Sequence, residues 1–588
     1  MADLDALLIR LRPHLSFSPD PVEDEQLGLL YIATYCDENG FPVRVIDEPA
    51  PTIELLLRSI EHSKAKVVGF FCDHENISSV FEVARCIREA HPDVLMVAGG
   101  PQASASPWDE RIIRESEIDM VACGEGEQTF LEILKWRIRG EGALKNIDGL
   151  VFQDEGRIVH NPPRALRRDL DTLPAPVRTF NYLGKPPNGS ENIVTARGCP
   201  YHCAFCYEGQ RIKVRRRSTA DVLAEIEYLL RERNMYYLAI LDDVFTMSTK
   251  HVREICDGIK ELQKKYHAFY WFAEGRADIL CKHPEMLDWM RDAGLVRLQI
   301  GVETGSQKVL DAYNKKLTLD EIRECVKLCY EKDILSVVGN FIIGGAFETW
   351  ETVGESIHFA CELMELAPGC FDFNTTIYTP YPATPMYTSP EEFGMTMLDQ
   401  DCVTGPGDNY AFCATEGMSK WEILDARHVF MEAVENKAAS LVPQISEERR
   451  VQHFQIHYLI HMHTIWVQML SRSRNFYNYY GLQACSDKLP IGKLEGENLH
   501  TYRPVRTVNI GASYEGDLVL KVNGKALRFN KLGEKVFEYC YGKLTVKDIV
   551  ERIVDEFDMR DVRDEAERYV HRTLENLDQE KLVIFSPI

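Results

Sequence analysis

The chain has 588 residues, 45% hydrophobic and 27% charged, with a formal net charge of −24. That acidity argues against a nucleic-acid surface, which must neutralise phosphates. No apolar run approaches the about 18 residues of a membrane span, and the acidic first residues lack a small-residue cleavage site. The expectation is a multidomain cytoplasmic protein without a nucleic-acid or membrane partner, whose 17 cysteines bind metal or stay reduced rather than pair.

Residues 1–150 alternate strand-like and helix-like runs: DALLIRL, LGLLYIATYCDENG, PVRVID, TIELLLRSIEHS, AKVVGFFCD, ISSVFEVARCIREAHP, VLMVAGG, WDERIIRE and IDMVACGEGE. Alternating β and α units predict a doubly wound parallel sheet that binds ligands beyond the carboxyl ends of its strands. At one such end VLMVAGGPQASASP carries Gly99 and Gly100, then Pro101, Gln102, Ala103 and Ser104, small residues that leave room for a ligand. G-x-G-x-x-G is absent, so a dinucleotide is a poor fit. CDHENISS sets Cys72, Asp73 and His74 after the third strand, and CGEGEQTF sets Gly124 and Glu125 after the fifth. Residues 151–189 read as a linker.

The stretch ARGCPYHCAFCYE follows the strand-like run Asn192-Ile-Val-Thr195 and holds Cys199, Cys203 and Cys206. A disulfide uses two thiols, and structural zinc usually takes four ligands in paired C-x2-C units. Three thiolates suit a [4Fe–4S] cluster that leaves one iron free of protein, able to hold a substrate or cofactor. Downstream, YYLAIL, AFYWFAEG, VRLQIGVE, SVVGNFIIGG and FDFNTTIYTP alternate with ADVLAEIEYLLRER and LDEIRECVKLCYEK, again predicting a parallel sheet. Asp242 and Asp243, Glu274 and Arg276, Gln299 and Glu303, and Asn340 stand where those strands end, positions that face the ligand in a barrel.

C-x3-C-x2-C followed by an aromatic residue, here Tyr207, resembles the signature of radical S-adenosylmethionine (SAM) enzymes. VRRRSTADVLAEIEYLL (214–230), LAILDDVFTMS (238–248), EGRADIL (274–280), AGLVRLQIGVETGSQKVL (293–310), VVGNFIIGGAFETWETV (337–353) and YTPYPATPMY (378–387) follow in family order. The resemblance covers residues about 190–390. It implies a partial (β/α)6 barrel, a [4Fe–4S] cluster on the three cysteines, and SAM chelated at the open iron and cleaved by one electron to a 5′-deoxyadenosyl radical. The electron would come from a low-potential donor such as flavodoxin or ferredoxin. The resemblance also implies that Tyr207, Asp242, Glu274, Arg276, Gln299, Glu303, Ser306 and Asn340 lie near SAM, with Gly344-Gly345 allowing close approach to the adenosine. Residues 1–150 are similar to the cobalamin-binding domain of class B radical SAM enzymes, which implies Cys72, Asp73, His74, the 99–104 loop, Gly124 and Glu125 around cobalamin. The D-x-H-x-x-G motif that supplies an axial histidine in cobalamin mutases is absent. The expectation is base-off cobalamin without a protein histidine, and His74 as a capping or surface residue.

Residues 391–500 read as helical. HFQIHYLIHMH puts His453, His457 and His461 four apart on one helix face. With no cysteine or carboxylate at ligand spacing, packing or substrate contact is expected there before a metal. Cys402 and Cys413 belong to a Gly- and Asp-containing loop. Residues 515–588 begin as a hairpin, DLVLKVNGKALRFN, with an Asn-Gly turn, and continue as three helical segments, a small winged-helix-like α+β module. LRFNKLGEKVFEYCYGKLTVKDIVERI resembles the PqqD-like element of enzymes that modify ribosomally made peptides, which implies a precursor peptide bound as an added edge strand. The combined expectation is an α/β multidomain enzyme, a cobalamin-dependent radical SAM C-methyltransferase. It would methylate an unactivated carbon of a ribosomally synthesised peptide or protein side chain, using a second SAM to remethylate cobalamin. Cyclisation or rearrangement without methyl transfer is the first alternative. A non-catalytic peptide-binding scaffold is the second.

Overall fold

Seven strands form the first sheet: β1 (Ala6–Arg12), β2 (Val43–Pro49), β3 (Val67–Phe71), β4 (Leu95–Gly99), β5 (Met120–Ala122), β6 (Leu150–Asp154) and β7 (Arg157–His160). The computed structural model describes residues 3–12, 26–49, 51–180, 182, 189–207, 213–399, 410–460, 462, 464–472, 503–506, 512–514, 517–522, 525–540, 544–579 and 583–586. Strand order is β2-β1-β3-β4-β5-β6-β7, with the first five parallel, as the alternating runs predict. Alternate residues of β1 face opposite sides. Leu7 and Ile9 join a core with Val80, Ala84 and Ile87 of the helix Ile77–Ala90, while Ala6 and Leu8 join another with Leu29, Leu30 and Phe130.

The linker expected at 151–189 begins later than predicted. β6 and β7 extend the sheet antiparallel from β5, and Leu150, Val151 and Phe152 are buried against it. β6 and β7 follow each other with only Glu155 and Gly156 between them and no helix, which breaks the alternating signal on which the boundary rested.

The second sheet holds β8 (Ser190–Ile193), β11 (Tyr237–Ile240), β12 (Tyr270–Gly275), β13 (Leu295–Glu303), β14 (Ser336–Ile343) and β15 (Phe371–Ile377), all parallel and side by side in chain order. Between β8 and β11, β9 (Ala196–Arg197) and β10 (Arg215–Arg216) pair antiparallel. This is the expected partial (β/α)6 barrel. Its crossover helices start at side-chain caps: Ser218 and Ser248 each accept a backbone N–H, and Thr318 and Thr349 form capping boxes. The region expected to be helical from 391 instead starts with a hairpin, β16 (Met395–Met397) and β17 (Cys413–Thr415), before the helix Lys420–Leu441.

Residues 1–434 form one compact unit and 435–588 another. In the second, β18 (Arg503–Arg506) pairs antiparallel with β22 (Val583–Ser586), and β19 (Ala512–Tyr514), β20 (Asp517–Val522) and β21 (Lys525–Phe529) form a three-stranded sheet. Pairing with the C-terminal strand brings 503–506 into the module expected to start at 515. Helices Lys531–Tyr539, Val546–Glu556 and Arg563–Gln579 share a core of Val536, Phe537, Ile549, Val550, Ile553, Val570 and Leu574. Asn530 caps the first helix, its Oδ1 accepting from Gly533 N at 2.9 Å and from the Tyr569 hydroxyl at 2.6 Å. The Asn-Gly turn at 523–524, Cys402, His461 and the side chain of His457 lie outside the described residues; His453 is buried. Among the described residues no helix is long and apolar enough to cross a membrane.

Candidate functional site

The chain leaves β8 at Ile193 and is caught at once. Asp242, which follows β11, accepts from Thr195 N at 2.6 Å and Ala196 N at 2.9 Å on Oδ1, and from the Thr195 hydroxyl on Oδ2. Thr195 Oγ1 also lies 3.0 Å from His251 Nε2. Asp243 Oδ2 accepts from Gly198 N at 3.0 Å. Gly198 has φ +97°, where a side chain would be strained. Burial pushes the Asp242 carboxyl up to about 6 and the His251 imidazole down to about 4. Asp242, expected beside SAM, is instead 2% exposed with both oxygens committed to the root of the cysteine loop.

Cys199, Cys203 and Cys206 are all partly exposed. The loop is braced by Ala204 N donating to Tyr313 O at 2.9 Å and Asn314 Nδ2 donating to His202 O at 2.7 Å. Two cations accompany it. Arg276 stacks 3.7 Å from the centre of the Tyr201 ring, and Lys315 lies 5.8 Å from that of Phe205, its ammonium 2.5 Å from Glu303 Oε1. Burial raises the thiol pKa of Cys199 and Cys203, while Lys315 and Arg276 pull Cys203 back. Nearby cations favour the thiolates that ligate iron, so the donor set fits the cluster. Among the described residues no three His, Cys, Asp or Glu side chains gather around a single ion; a four-iron cluster takes its thiolates at wider spacing.

The strand-end acids meet beside this loop. Gln299 Nε2 donates to Glu274 Oε1 at 3.2 Å, and burial with neighbouring Asp243 lifts the Glu274 carboxyl to about 7. Glu303 has φ +67° at a bulge, and Asn340 lies opposite Gly301, two register steps beyond Gln299. Ser306 is buried at the start of the helix Gln307–Ala312. Gly344 and Gly345 are closely packed by the protein: added Cβ atoms would lie 2.6 Å from Ile423 and 1.8 Å from the Tyr313 hydroxyl. Lys315 and His251 escaped the sequence reading because neither belongs to a strand-end motif.

At the carboxyl edge of the first sheet lies a cavity of about 500 Å³, rimmed by Gly69, Gly99, Gly100 and Gly124 and closed from the barrel side by Val194 and Leu241. Gly100 has φ +100°, and a Cβ there would approach Cys72 O to 2.8 Å; at Gly124, φ +83°, an added Cβ meets nothing within 4 Å. Leu241 is 38% exposed toward this space, an apolar surface that a cofactor would cover. Arg10 and Arg197 also line it, the latter paired with Glu125 and Glu127 of the same lining, beside the N-termini of helices Leu27–Glu38 and Gly126–Leu134, whose backbone N–H groups favour an anionic group. An apolar, glycine-rimmed space with cationic and N–H groups fits cobalamin, which carries a phosphate.

Several expected cobalamin contacts have other work. Cys72 is buried, its N donating to Gly99 O at 2.7 Å and its carbonyl accepting from Gln102 N at 3.1 Å. Asp73 Oδ1 accepts from Glu75 N and Asn76 N, both at 3.0 Å, at the entry to the helix Ile77–Ala90. His74 packs edge-on against Tyr381, ring centres 5.1 Å apart. Ser104 Oγ ties the glycine loops together, accepting from Gly124 N at 3.1 Å and donating to Gly100 O at 2.9 Å. Gln102 and Ala103 are buried, and Glu125 pairs with Arg197 and Arg215. Pro101 O accepts a hydrogen bond from the Tyr207 hydroxyl.

The Radical SAM superfamily model matches residues 193–360, and the B12 binding domain model matches 23–134. An uncharacterized methyltransferase of Pyrococcus horikoshii is 30% identical over 61% of this chain and 77% of its own. The anaerobic magnesium-protoporphyrin IX monomethyl ester cyclase of Cereibacter sphaeroides is 30% identical over 57% of this chain and 54% of its own. TsrM, a radical S-adenosylmethionine methyltransferase from Kitasatospora setae solved with cobalamin and a [4Fe–4S] cluster bound, superposes with a TM-score of 0.56 at 16% identity, covering 74% of this chain and 89% of that one. OxsB, a cobalamin-dependent S-adenosylmethionine radical enzyme, gives a TM-score of 0.59 at 18% identity, covering 82% and 75%. At those identities the two likenesses are of fold. With both domain models and the Pyrococcus relative in agreement, the chain belongs to the cobalamin-dependent radical SAM methyltransferase family, enzymes whose cofactors are a [4Fe–4S] cluster, SAM and cobalamin.

Proposed function

We propose that the protein transfers a methyl group to an unactivated carbon of a ribosomally synthesised peptide or protein side chain. The observation that carries this reading is the hydrogen bond from Tyr207, next to the last cysteine, to Pro101 in the glycine loop at the cavity. It sets the cysteine loop and the cavity rim side by side, as a reaction using both cofactors on one carbon needs. When bound, the cluster with SAM supplies a hydrogen-abstracting radical and cobalamin supplies the methyl group. Arg276 and Lys315 favour thiolates on the loop. Asp242 and Asp243 fix its root, and the acids Asp243, Glu274 and Glu303 suit a cationic sulfonium. Leu241 and Val194 give the cavity an apolar wall on the barrel side.

Peptide capture is assigned to the C-terminal module. β19 and β21 lie at the edges of its three-stranded sheet, and an extended peptide adds to such an edge through main-chain hydrogen bonds. The Asn530 and Gly533 positions that suggest a PqqD-like element cap the helix after that sheet. A low-potential donor such as flavodoxin or ferredoxin in the cytoplasm completes the scheme.

The test is anaerobic turnover of the reconstituted protein with SAM, methylcobalamin, reductant and candidate peptides. Formation of 5′-deoxyadenosine and S-adenosylhomocysteine, with one methylene mass added to the peptide, is the expected result. The relationship to a cyclase favours one second reading, rearrangement or cyclisation. Deoxyadenosine with an altered but unmethylated peptide would establish it instead.

A further inference from the structure

Two arginines face each other across the β9–β10 ribbon, Arg197 opposite Arg215. Like charges so opposed repel, and neither side chain has much water, with exposures of 20% and 9%. Two carboxylates from the CGEGE loop of the N-terminal domain compensate them. Glu125 accepts from Arg197 Nη1 at 3.2 Å and from Arg215 Nη1 and Nη2, both at 2.9 Å, while Glu127 accepts from Arg197 Nη2 at 2.8 Å. Arg197 also lies 5.0 Å from the centre of the Tyr31 ring. Burial works against the Arg197 charge, but Glu127 and Glu125 hold its pKa above the usual value.

Arg197 stands two residues before Cys199. At the other end of the same loop Tyr207 donates to Pro101 O. The cysteine loop is therefore fastened to the N-terminal domain on both sides, by charge before the first thiol and by a hydrogen bond after the last.

We propose that Glu125 and Glu127 are positioning residues: through Arg197 they hold the cysteine loop at a fixed spacing from the glycine loops of the N-terminal domain. Its functional consequence rests on the methyl-transfer reading, because a loosened loop would form the radical without delivering the methyl group. Glu125→Gln leaves two opposed, poorly solvated cations and is liable to unfold the ribbon. Glu127→Gln, with Glu127→Asp as the conservative control, is the informative change.

In the reconstituted holoenzyme, amide hydrogen exchange is followed in peptides covering 196–207 and in the barrel helices, together with the ratio of 5′-deoxyadenosine to methylated product. Glu127→Gln is expected to speed exchange in 196–207 about tenfold, leave the barrel helices unchanged and raise the ratio severalfold, with Glu127→Asp recovering most of both. Unchanged exchange in 196–207, or equal acceleration throughout the chain, would overturn the proposal. If the unaltered enzyme methylates no peptide, the methyl-transfer reading fails, while the exchange measurement still decides whether the clamp holds the loop.

Discussion

The Tyr207 hydroxyl donates a hydrogen bond to the carbonyl of Pro101, joining the residue after the cysteine motif to the glycine loop of the other cofactor domain. The Tyr207 ring also meets Tyr381, at 6.3 Å between centres, and Tyr381 in turn meets His74. Three aromatic groups from separate segments thus meet where the cysteine and glycine loops approach. Tyr207→Phe keeps the ring and removes only the hydrogen bond, so chemical denaturation should report a loss of about 1 kcal/mol. A loss near zero would mean that the bond does not hold the loops together.

Cys203→Ala removes one of three thiolates from a braced loop. Iron and sulfide content and the cluster's visible absorbance should fall to background, and 5′-deoxyadenosine formation should disappear, with far-ultraviolet circular dichroism unchanged. Retained iron would show that Cys203 is not a ligand.

Glu274 gives a pH dependence whose sign follows from burial. Its carboxyl is raised from 4.5 to about 7, so between those values the unfolded chain ionises first and stability falls as pH rises, levelling off above pH 7. Glu274→Gln removes that fall. Relative to the native protein, the apo variant should gain on the order of 3 kcal/mol between pH 5 and pH 8 in urea titrations. A difference that stays flat with pH would contradict the assignment.

The segment before β8 is anchored by a buried carboxylate. Glu225 receives Arg178 Nη2 at 2.8 Å and Arg217 Nη1 at 2.5 Å, and its side chain is 1% exposed. Glu225→Ala strands two guanidiniums and should cost about 3–5 kcal/mol. A loss below about 1 kcal/mol in equilibrium unfolding would show that water reaches the site.

The barrel was legible in the sequence because each strand-helix unit repeats a local hydrophobic period, and the candidate cluster ligands were legible because three thiols share one short loop. The same local logic found the first sheet and its glycine edge. It missed β6 and β7, since an antiparallel edge breaks the alternation, and β18, whose partner β22 lies about 80 residues away. It also misread several polar residues.

Sequence position alone determined which residues stand at strand ends, but not which way their hydrogen bonds run. Asp242 and Asp73 look like ligand groups until their backbone donors are seen, and Glu125 and Glu127 look like part of a glycine motif until Arg197 and Arg215 arrive from the barrel. Those pairings join residues about 70–90 positions apart, and a charge reveals its partner only when folding removes the water between them. The chain's local pattern determined the two cofactor domains and the three-cysteine loop; tertiary packing decided how that loop is held between them.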